Sequence, residues 1–293
     1  MRGNRQWPAL ARAFHGAALA TPFNALIDTA VAGHLYVAGG IDTNGDPVAS
    51  IYMAAVGRDR SVGAWSQTTD LPMALHSMGI AIFRSWLYVA GGATAGDMPR
   101  AEVYRAHIEE DGTLGAWESQ ASLPYPRAHV PLAQFAGVLY TLGGDSAAVA
   151  PGDATLTATR VAQIHYNALD LRTGALKGQA WTLNPSSLIK QAAKHTAVVA
   201  GGTVLASGGL YGGAANSSTE QQYAAIDPNA TIQSFNGATG SQTIAGSTGA
   251  GGVPFFNHAA IAYVDANGVA HVVIIGGNDV NDPATPVASV YFY

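Results

Sequence analysis

Five pairs of consecutive glycines, each following an apolar run, constrain the fold of this chain more than any other feature. The pairs begin at Gly39, Gly91, Gly143, Gly208 and Gly276, so they divide the chain into repeats of comparable length. Glycine adopts positive φ and leaves room for a close neighbour. We therefore expect each pair to end a strand where the backbone turns tightly beside an adjacent sheet.

Aromatic residues recur after each glycine pair. The tyrosines are Tyr52, Tyr104, Tyr166, Tyr223 and Tyr291, and the first four are followed at a similar distance by Trp65, Trp117, Trp181 and Phe235. A second apolar run lies upstream of each pair, usually after a proline as at Pro72 and Pro124. We expect the rings to fill the space between neighbouring sheets, with the hydroxyl or indole N–H bonded to backbone.

Four short strands in each repeat, with turn signals between them, are typical of β-propeller blades. One blade cannot bury both of its faces, so the repeats are expected to stack in a ring. The order of elements resembles the kelch repeat, and the phrase at 112–117, present in part at 62–65, is similar to one seen in bacterial kelch proteins. The resemblance covers nearly the whole chain and implies an all-β, kelch-type β-propeller.

The two ends of the chain complement each other in the repeat pattern. No aromatic residue at the usual spacing follows Tyr291, and no repeat precedes Trp7. We predict one domain of five four-stranded blades, in which the N-terminal strand completes the last blade and closes the ring. The predicted blades are about 8–65, 66–117, 118–181, 182–235, and 236–293 with 1–7. The alternative is a fragment of a longer propeller.

Composition restricts the partners and the location. The net charge is −5, charged residues make up 11%, and no basic cluster exists, which excludes a nucleic-acid partner. The chain has no cysteine and no apolar run of membrane-spanning length. The low charge favours a bacterial extracellular or cell-envelope protein whose signal peptide is not in this chain.

Three long segments are predicted to lie on one face of the propeller. They are 8–21, 145–160 and 236–252, each placed between the second and third strands of a blade or between two blades. Long loops on a rigid scaffold commonly carry binding. We expect a protein or glycan partner at this face, the alternative being loops without function.

A histidine series marks the start of the predicted inner strands. His76, His129, His195 and His258 precede their glycine pairs by similar distances along the chain, and the matching position of the first blade falls near Asn24. The candidate ligand-binding residues at the channel mouth are therefore Asn24, His76, Arg127, His129, Lys194, His195 and His258. The alternative is that each histidine bonds backbone of the next blade. No inner strand has a carboxylate at this position, Asp28 being nearest, so whether a metal binds there is left open.

The function favoured by these patterns is a non-catalytic protein- or glycan-interaction propeller, or an accessory or structural subunit of a larger assembly. The alternative is a sugar-active enzyme, epimerase-like or hydrolase-like, at the channel mouth. Kelch relatives include copper oxidases, but their cofactor needs a cysteine, which this chain lacks. We assign no catalytic residue and expect no cofactor. A calcium or other divalent ion at the Asp/Asn-rich turns 42–46 or 278–282 is the alternative.

Overall fold

The computed structural model describes residues 15–20, 31–59, 61–147, 160–189, 191–211 and 221–238, and the strands within 255–292. Regular structure in this part of the chain is β, apart from a single 3-10 turn at Ala95–Asp97. Neighbouring strands within each sheet pair antiparallel.

Blade 1 is a four-stranded sheet in simple sequence order. Its strands are β1 (Gly16–Ala20), β2 (Val31–Ala38), β3 (Ile51–Gly57) and β4 (Ser66–Gln67). β1 lies within the segment 8–21, which was predicted as a loop. That prediction is wrong for these residues, because Gly16–Ala20 pairs with His34–Ala38 along its whole length.

Blades 2 and 3 repeat this order. Blade 2 consists of β5 (Gly79–Phe83), β6 (Trp86–Ala90), β9 (Val103–Ile108) and β10 (Leu114–Gln120), with the small hairpin β7 (Ala93–Thr94) and β8 (Met98–Pro99) between β6 and β9. Blade 3 consists of β11 (Leu132–Phe135), β12 (Val138–Leu142), β13 (Ile164–Ala168) and β14 (Thr182–Leu183).

Blade 4 and the last repeat complete the described strands. Blade 4 consists of β16 (Thr196–Ala200), β17 (Thr203–Ser207), β19 (Gln221–Ala225) and β20 (Asn236–Ala238), and β15 (Ala192–Ala193) pairs with β18 (Leu210–Tyr211) beside it. The last repeat forms a three-stranded sheet of β22 (Ala259–Val264), β23 (Ala270–Ile275) and β25 (Val290–Phe292), with β21 (Phe255–Phe256) paired to β24 (Asn278–Asp279).

The structure therefore shows four complete blades, not the predicted five. In the described residues the sheet of the last repeat has three strands, β22, β23 and β25. Residues 1–14, which were predicted to supply that strand, lie outside the described residues. Closure of the ring by the N-terminal strand is thus not shown.

The inner strands establish the propeller arrangement. β1, β5, β11, β16 and β22 come from successive repeats and contact one another in that order. Between them the sheets bury apolar faces: Tyr36 and Ile51 of blade 1, for example, pack in one cluster with Leu87 and Val89 of blade 2. This packing of faces is what a repeated sheet that cannot cover itself requires.

The glycine pairs have the predicted role. Gly39, Gly91 and Gly143 have φ near +60° (59°, 62° and 61°). A Cβ at any of the three would overlap a backbone carbonyl oxygen of the following blade, belonging to Leu75, Arg127 and Ala192 respectively. The second glycine then donates its N–H to that same carbonyl, at 2.8, 2.8 and 2.7 Å. The pair therefore links each blade to the next through backbone alone.

Tyrosine hydroxyls also bridge the blades, but from a different strand than predicted. Tyr36, Tyr88 and Tyr140, all on second strands, donate to the carbonyls of Gly112, Gly174 and Ala230 at 2.6, 2.5 and 2.8 Å. The indole N–H of Trp181 donates to Ala121 O at 2.8 Å, as expected for an aromatic residue between blades.

Candidate functional site

Three equivalent residues form a hydrogen-bonded chain across blades 2, 3 and 4, just before their inner strands. Ser77, His129 and Lys194 all have left-handed backbone, with φ of 54°, 51° and 58°. The N–H of His129 donates to Ser77 O at 2.8 Å, and that of Lys194 donates to His129 O at 3.2 Å. We call these three residues the inner ring. Non-glycine residues in this conformation are uncommon, and three of them at equivalent positions make this region a candidate site.

The histidines of the series occupy three different positions relative to this ring. His76 precedes a ring residue, His129 is a ring residue and His195 follows one. The backbone pairs His76–Ala93, Ala128–Asp145 and Ala193–Leu210 fix this register. The histidines are therefore not copies of one duplicated role, and each has its own surroundings.

His129 is bonded to a buried carboxylate. Its Nδ1 lies 3.1 Å from Oδ2 of Asp145, and both side chains are buried. A carboxylate only accepts, so Nδ1 carries the proton and donates. Burial lowers the pKa of His129, as does Lys194, while the bond to Asp145 acts in the opposite direction. His129 is thus neutral at pH 7, and within the described structure its Nε2 is buried without a hydrogen-bond partner.

Arg160 lies on a second side of Asp145, at ion-pair distance but without a hydrogen bond between Nε and Oδ1. The two residues pair across the base of the segment 145–160, and Arg160 Nε lies 3.8 Å from Asp145 Oδ1. Both side chains are fully buried. In blades 1 and 2 the corresponding pairs are apolar, Ile41 with Pro47 and Ala93 with Pro99. Blade 3 has therefore exchanged an apolar pair for an ion pair.

The sequence analysis did not predict the role of this carboxylate, because it considered carboxylates on the inner strands alone. Asp145 instead follows the glycine pair of the second strand. The residue after the pair is Ile41, Ala93 and Leu210 in blades 1, 2 and 4, so the acidic side chain at this position was the available signal.

His195 replaces an apolar residue between blades 3 and 4. Met78 and Val130 hold the equivalent positions, each following a ring residue. The imidazole is buried against Gly143, whose Cβ, if present, would lie 3.0 Å from His195 Cε1. Burial lowers the pKa of His195 to about 4, against a partial opposing effect of Asp145. Both ring nitrogens are buried without a hydrogen-bond partner among the described residues.

His76 contacts a hairpin of its own blade. Its Nε2 lies 3.5 Å from Asp97 Oδ1, and Nδ1 lies 3.1 Å from Ser77 Oγ. Burial lowers the pKa of His76, and neighbouring His129 lowers it further, while Asp97 raises it. The influence of Asp97 extends to His129, so the two histidines share one electrostatic environment.

The side chain of Arg127 makes its hydrogen bonds inside blade 3. One guanidinium nitrogen donates to the carbonyls of Gly143 and Gln163 at 3.0 and 3.1 Å. The other donates to the Tyr125 hydroxyl and, at 2.7 Å, to His165 Nδ1. Since arginine only donates, His165 accepts and is neutral, and burial followed by Arg127 lowers its pKa to about 4. The sequence did not single out His165.

The remaining candidates divide into two groups. Lys194 is buried next to His129, whose pKa it lowers. Asn24 and His258 lie outside the described residues. In chain order Asn24 follows β1, whereas the three described histidines precede their inner strands, so Asn24 does not match their position.

Two further findings concern the described residues as a whole. They contain no group of three or more His, Asp or Glu side chains that could hold a metal ion. No helix in this part of the chain is long and apolar enough to cross a membrane.

The blades, their order and the glycine pairs that link them support a kelch-type β-propeller. No protein-family model matches the chain. A stretch of 85 residues, 28% of the chain, is 29% identical to human Kelch-like protein 31. The match spans 13% of that protein's own length.

Proposed function

We propose that this chain is an interaction module that binds a protein partner. The binding surface is the face formed by the loops between second and third strands and by the connections between blades; we call it the loop face. The kelch-type propeller and the similarity to a Kelch-like protein support an interaction role. The partner and its binding site are our proposal.

The observation that carries the proposal is the buried ion pair at the base of the segment 145–160. Desolvating two charges costs several kcal/mol, and an apolar pair at such a position is often as stable or more so. Blades 1 and 2 use that apolar solution at the equivalent position. The ion pair of Asp145 and Arg160 therefore does more than hold the blade together. It fixes where a long segment leaves and rejoins the loop face.

Exposed apolar side chains on the same face supply contact area. Met98 lies in the hairpin between the second and third strands of blade 2 and is 55% exposed, and Ile189 lies in the connection from blade 3 to blade 4 and is 52% exposed. The ring of Tyr125 is held by the Arg127 guanidinium, 4.3 Å from its centroid. Rigid aromatic and apolar anchors beside polar groups are typical of protein interfaces.

Photo-crosslinking tests the face. A photoreactive phenylalanine analogue is placed at Met98 or Ile189, and at Leu171 as the matched control. Leu171 is 50% exposed but lies in a turn between third and fourth strands, on the opposite face. We expect one protein to be crosslinked from Met98 and Ile189 and not from Leu171.

Affinity measurements with that protein complete the test. We expect Met98→Asp and Ile189→Asp each to weaken binding by about tenfold, as is typical for buried interface anchors, and Leu171→Asp to leave it unchanged. Equal crosslinking from both faces, or equal loss with Leu171→Asp, would show that the loop face is not the binding surface.

The other functional expectations remain predictions from the sequence. These are the glycan partner, the bacterial origin, the extracellular or envelope location and the alternative of a sugar-active enzyme.

A further inference from the structure

The junction of blades 3 and 4 concentrates buried titratable groups in a way that the other described junctions do not. His129 and Asp145 come from blade 3, Lys194 and His195 precede the inner strand of blade 4, and Arg160 closes the base of the loop segment. At the equivalent junction of blades 1 and 2, Ile41, Pro47, Ser77 and Met78 occupy the positions of Asp145, Arg160, Lys194 and His195.

In the part of the chain that the structure describes, neither histidine has an acceptor within hydrogen-bond distance for a second proton. His129 Nε2 and both nitrogens of His195 are buried without hydrogen-bond partners within the described residues. Protonation would place an N–H and a positive charge in an environment that solvates neither.

The charges around the histidines act in both directions: the carboxylates of Asp145 and Asp97 favour protonation, whereas Lys194 opposes it at His129. Asp145 faces both His129 and His195, and the partly exposed Asp97 of blade 2 reaches His129 and His76. Against these two carboxylates stand Lys194 and Arg160, both buried cations. Burial is the largest effect on the pKa of His76, His129 and His195, so their neutral forms are favoured despite the two carboxylates.

The same histidines are mechanically linked to the blade junction and to the loop face. The backbone of His129 bonds blade 2 through Ser77 and blade 4 through Lys194. The His195 ring packs beside Gly143, and the next glycine, Gly144, donates to Ala192 O of blade 4 at 2.7 Å. His129 also holds Asp145, the residue from which the loop segment departs.

We propose that this cluster is an acid-sensitive latch: protonation of His129 and His195 opens the junction of blades 3 and 4 and releases the Asp145–Arg160 base of the loop segment. In the closed state both imidazoles are neutral, the ion pair is intact and the loop face is in its binding geometry. Mild acid then weakens partner binding. This last consequence rests on the proposed function, whereas the opening itself does not.

Amide hydrogen exchange of the free protein, resolved by NMR, tests the opening. The reporters are the N–H groups of Gly144, Asp145 and Val161, which bond Ala192 O, Ala128 O and Gly144 O. The internal controls are Gly40 and Val48, which make the corresponding bonds in blade 1 to Leu75 O and Gly40 O, at a junction where Met78 takes the place of His195.

The expected effect is a difference between pH 7.4 and 5.5. With a pKa of about 4 when buried and about 6.5 when exposed, His195 alone raises the opening constant about tenfold at pH 5.5. We expect Gly144, Asp145 and Val161 to show at least this increase after correction for intrinsic exchange, and Gly40 and Val48 to change less than about twofold.

Two variants test whether the histidines cause the opening. His195→Met introduces the residue found at the equivalent position 78, and His129→Asn keeps a side chain that tolerates left-handed backbone. Both are expected to reduce the pH effect, and the exposed His107→Gln is expected to leave it intact. Equal opening at both pH values in the wild type, or a full effect in the double variant, would overturn the latch.

The latch and the binding face can fail separately. If exchange depends on pH but Met98→Asp and Ile189→Asp bind the partner normally, the proposed face is wrong and the latch stands. If those variants lose binding but exchange is independent of pH, the face stands and the latch is wrong.

Discussion

Blades 2 and 3 share a backbone plan and differ in what they bury. Both link to the next blade through a glycine pair and through a second-strand tyrosine. At equivalent positions blade 2 has Leu75, Ser77, Ala93, Pro99 and Tyr104, and blade 3 has Arg127, His129, Asp145, Arg160 and His165. All five of these residues are titratable in blade 3. In blade 2 four of the equivalent residues are not titratable and the fifth, Tyr104, is a weakly acidic phenol. The repeat accepts both sets because its assembly depends on backbone contacts.

The largest expected effect comes from breaking the ion pair of blade 3. Asp145→Ala removes the carboxylate that faces Arg160 and accepts the hydrogen bond of His129, which is expected to cost about 3–5 kcal/mol of unfolding free energy. The double variant Asp145→Ala/Arg160→Pro recreates the Ala–Pro pair of blade 2 and is expected to recover most of that loss. Urea unfolding of the three proteins measures both values. A double variant no more stable than the single one would show that blade 3 cannot accommodate the Ala–Pro pair of blade 2.

Acid is expected to destabilise blade 3 through His165. Its pKa is about 4 in the folded protein and about 6.5 in the unfolded chain, so protons bind the unfolded state first as the pH falls below 6.5. Stability is full above that value and is lost progressively towards pH 4, with about 2 kcal/mol lost from this group at pH 5.

The substitution His165→Gln isolates this contribution. Glutamine retains an acceptor for Arg127 but does not titrate. The difference in unfolding free energy between pH 7.4 and 5 is expected to shrink by about 2 kcal/mol. If His165→Gln loses as much unfolding free energy between pH 7.4 and 5 as the wild type, His165 is not the cause of the acid sensitivity.

The smallest effect concerns what the two blades have in common. Tyr88→Phe and Tyr140→Phe each remove one hydrogen bond to a carbonyl of the next blade, expected to cost about 1 kcal/mol. Because the contact is shared, the two costs should agree within experimental error in chemical denaturation. A clearly larger cost for Tyr140 would indicate that the polar blade depends more strongly on this link.

The sequence predicted the features that depend on local backbone requirements. Gly39, Gly91 and Gly143 have positive φ and a close backbone neighbour. A repeated glycine pair predicts both properties. The all-β propeller follows from the same repeat. The described residues form four complete blades where five were predicted, because the sheet of the last repeat has three described strands.

The candidate site was only partly predictable. The equivalent residues Met78, Val130 and His195 all stand at the same distance before the glycine pairs of their repeats. His76 lies two residues before the equivalent position of its own repeat, and His129 lies one residue before it. The three histidines therefore occupy three different positions, although the sequence analysis treated them as one series. The contacts of Asp145 with His129 and Arg160 join residues separated along the chain, and only the folded backbone brings them together.

The inner ring has a consequence for how such a propeller can diversify. Ser77, His129 and Lys194 join blade to blade through N–H and C=O groups, which every one of these residues possesses. A hydroxyl, an imidazole and an ammonium group can therefore occupy equivalent positions in neighbouring blades without changing the bonds that hold the blades in place. Assembly and side-chain chemistry are separate properties of this ring, so one copy of the repeat can acquire a new role while its neighbours continue to support the fold.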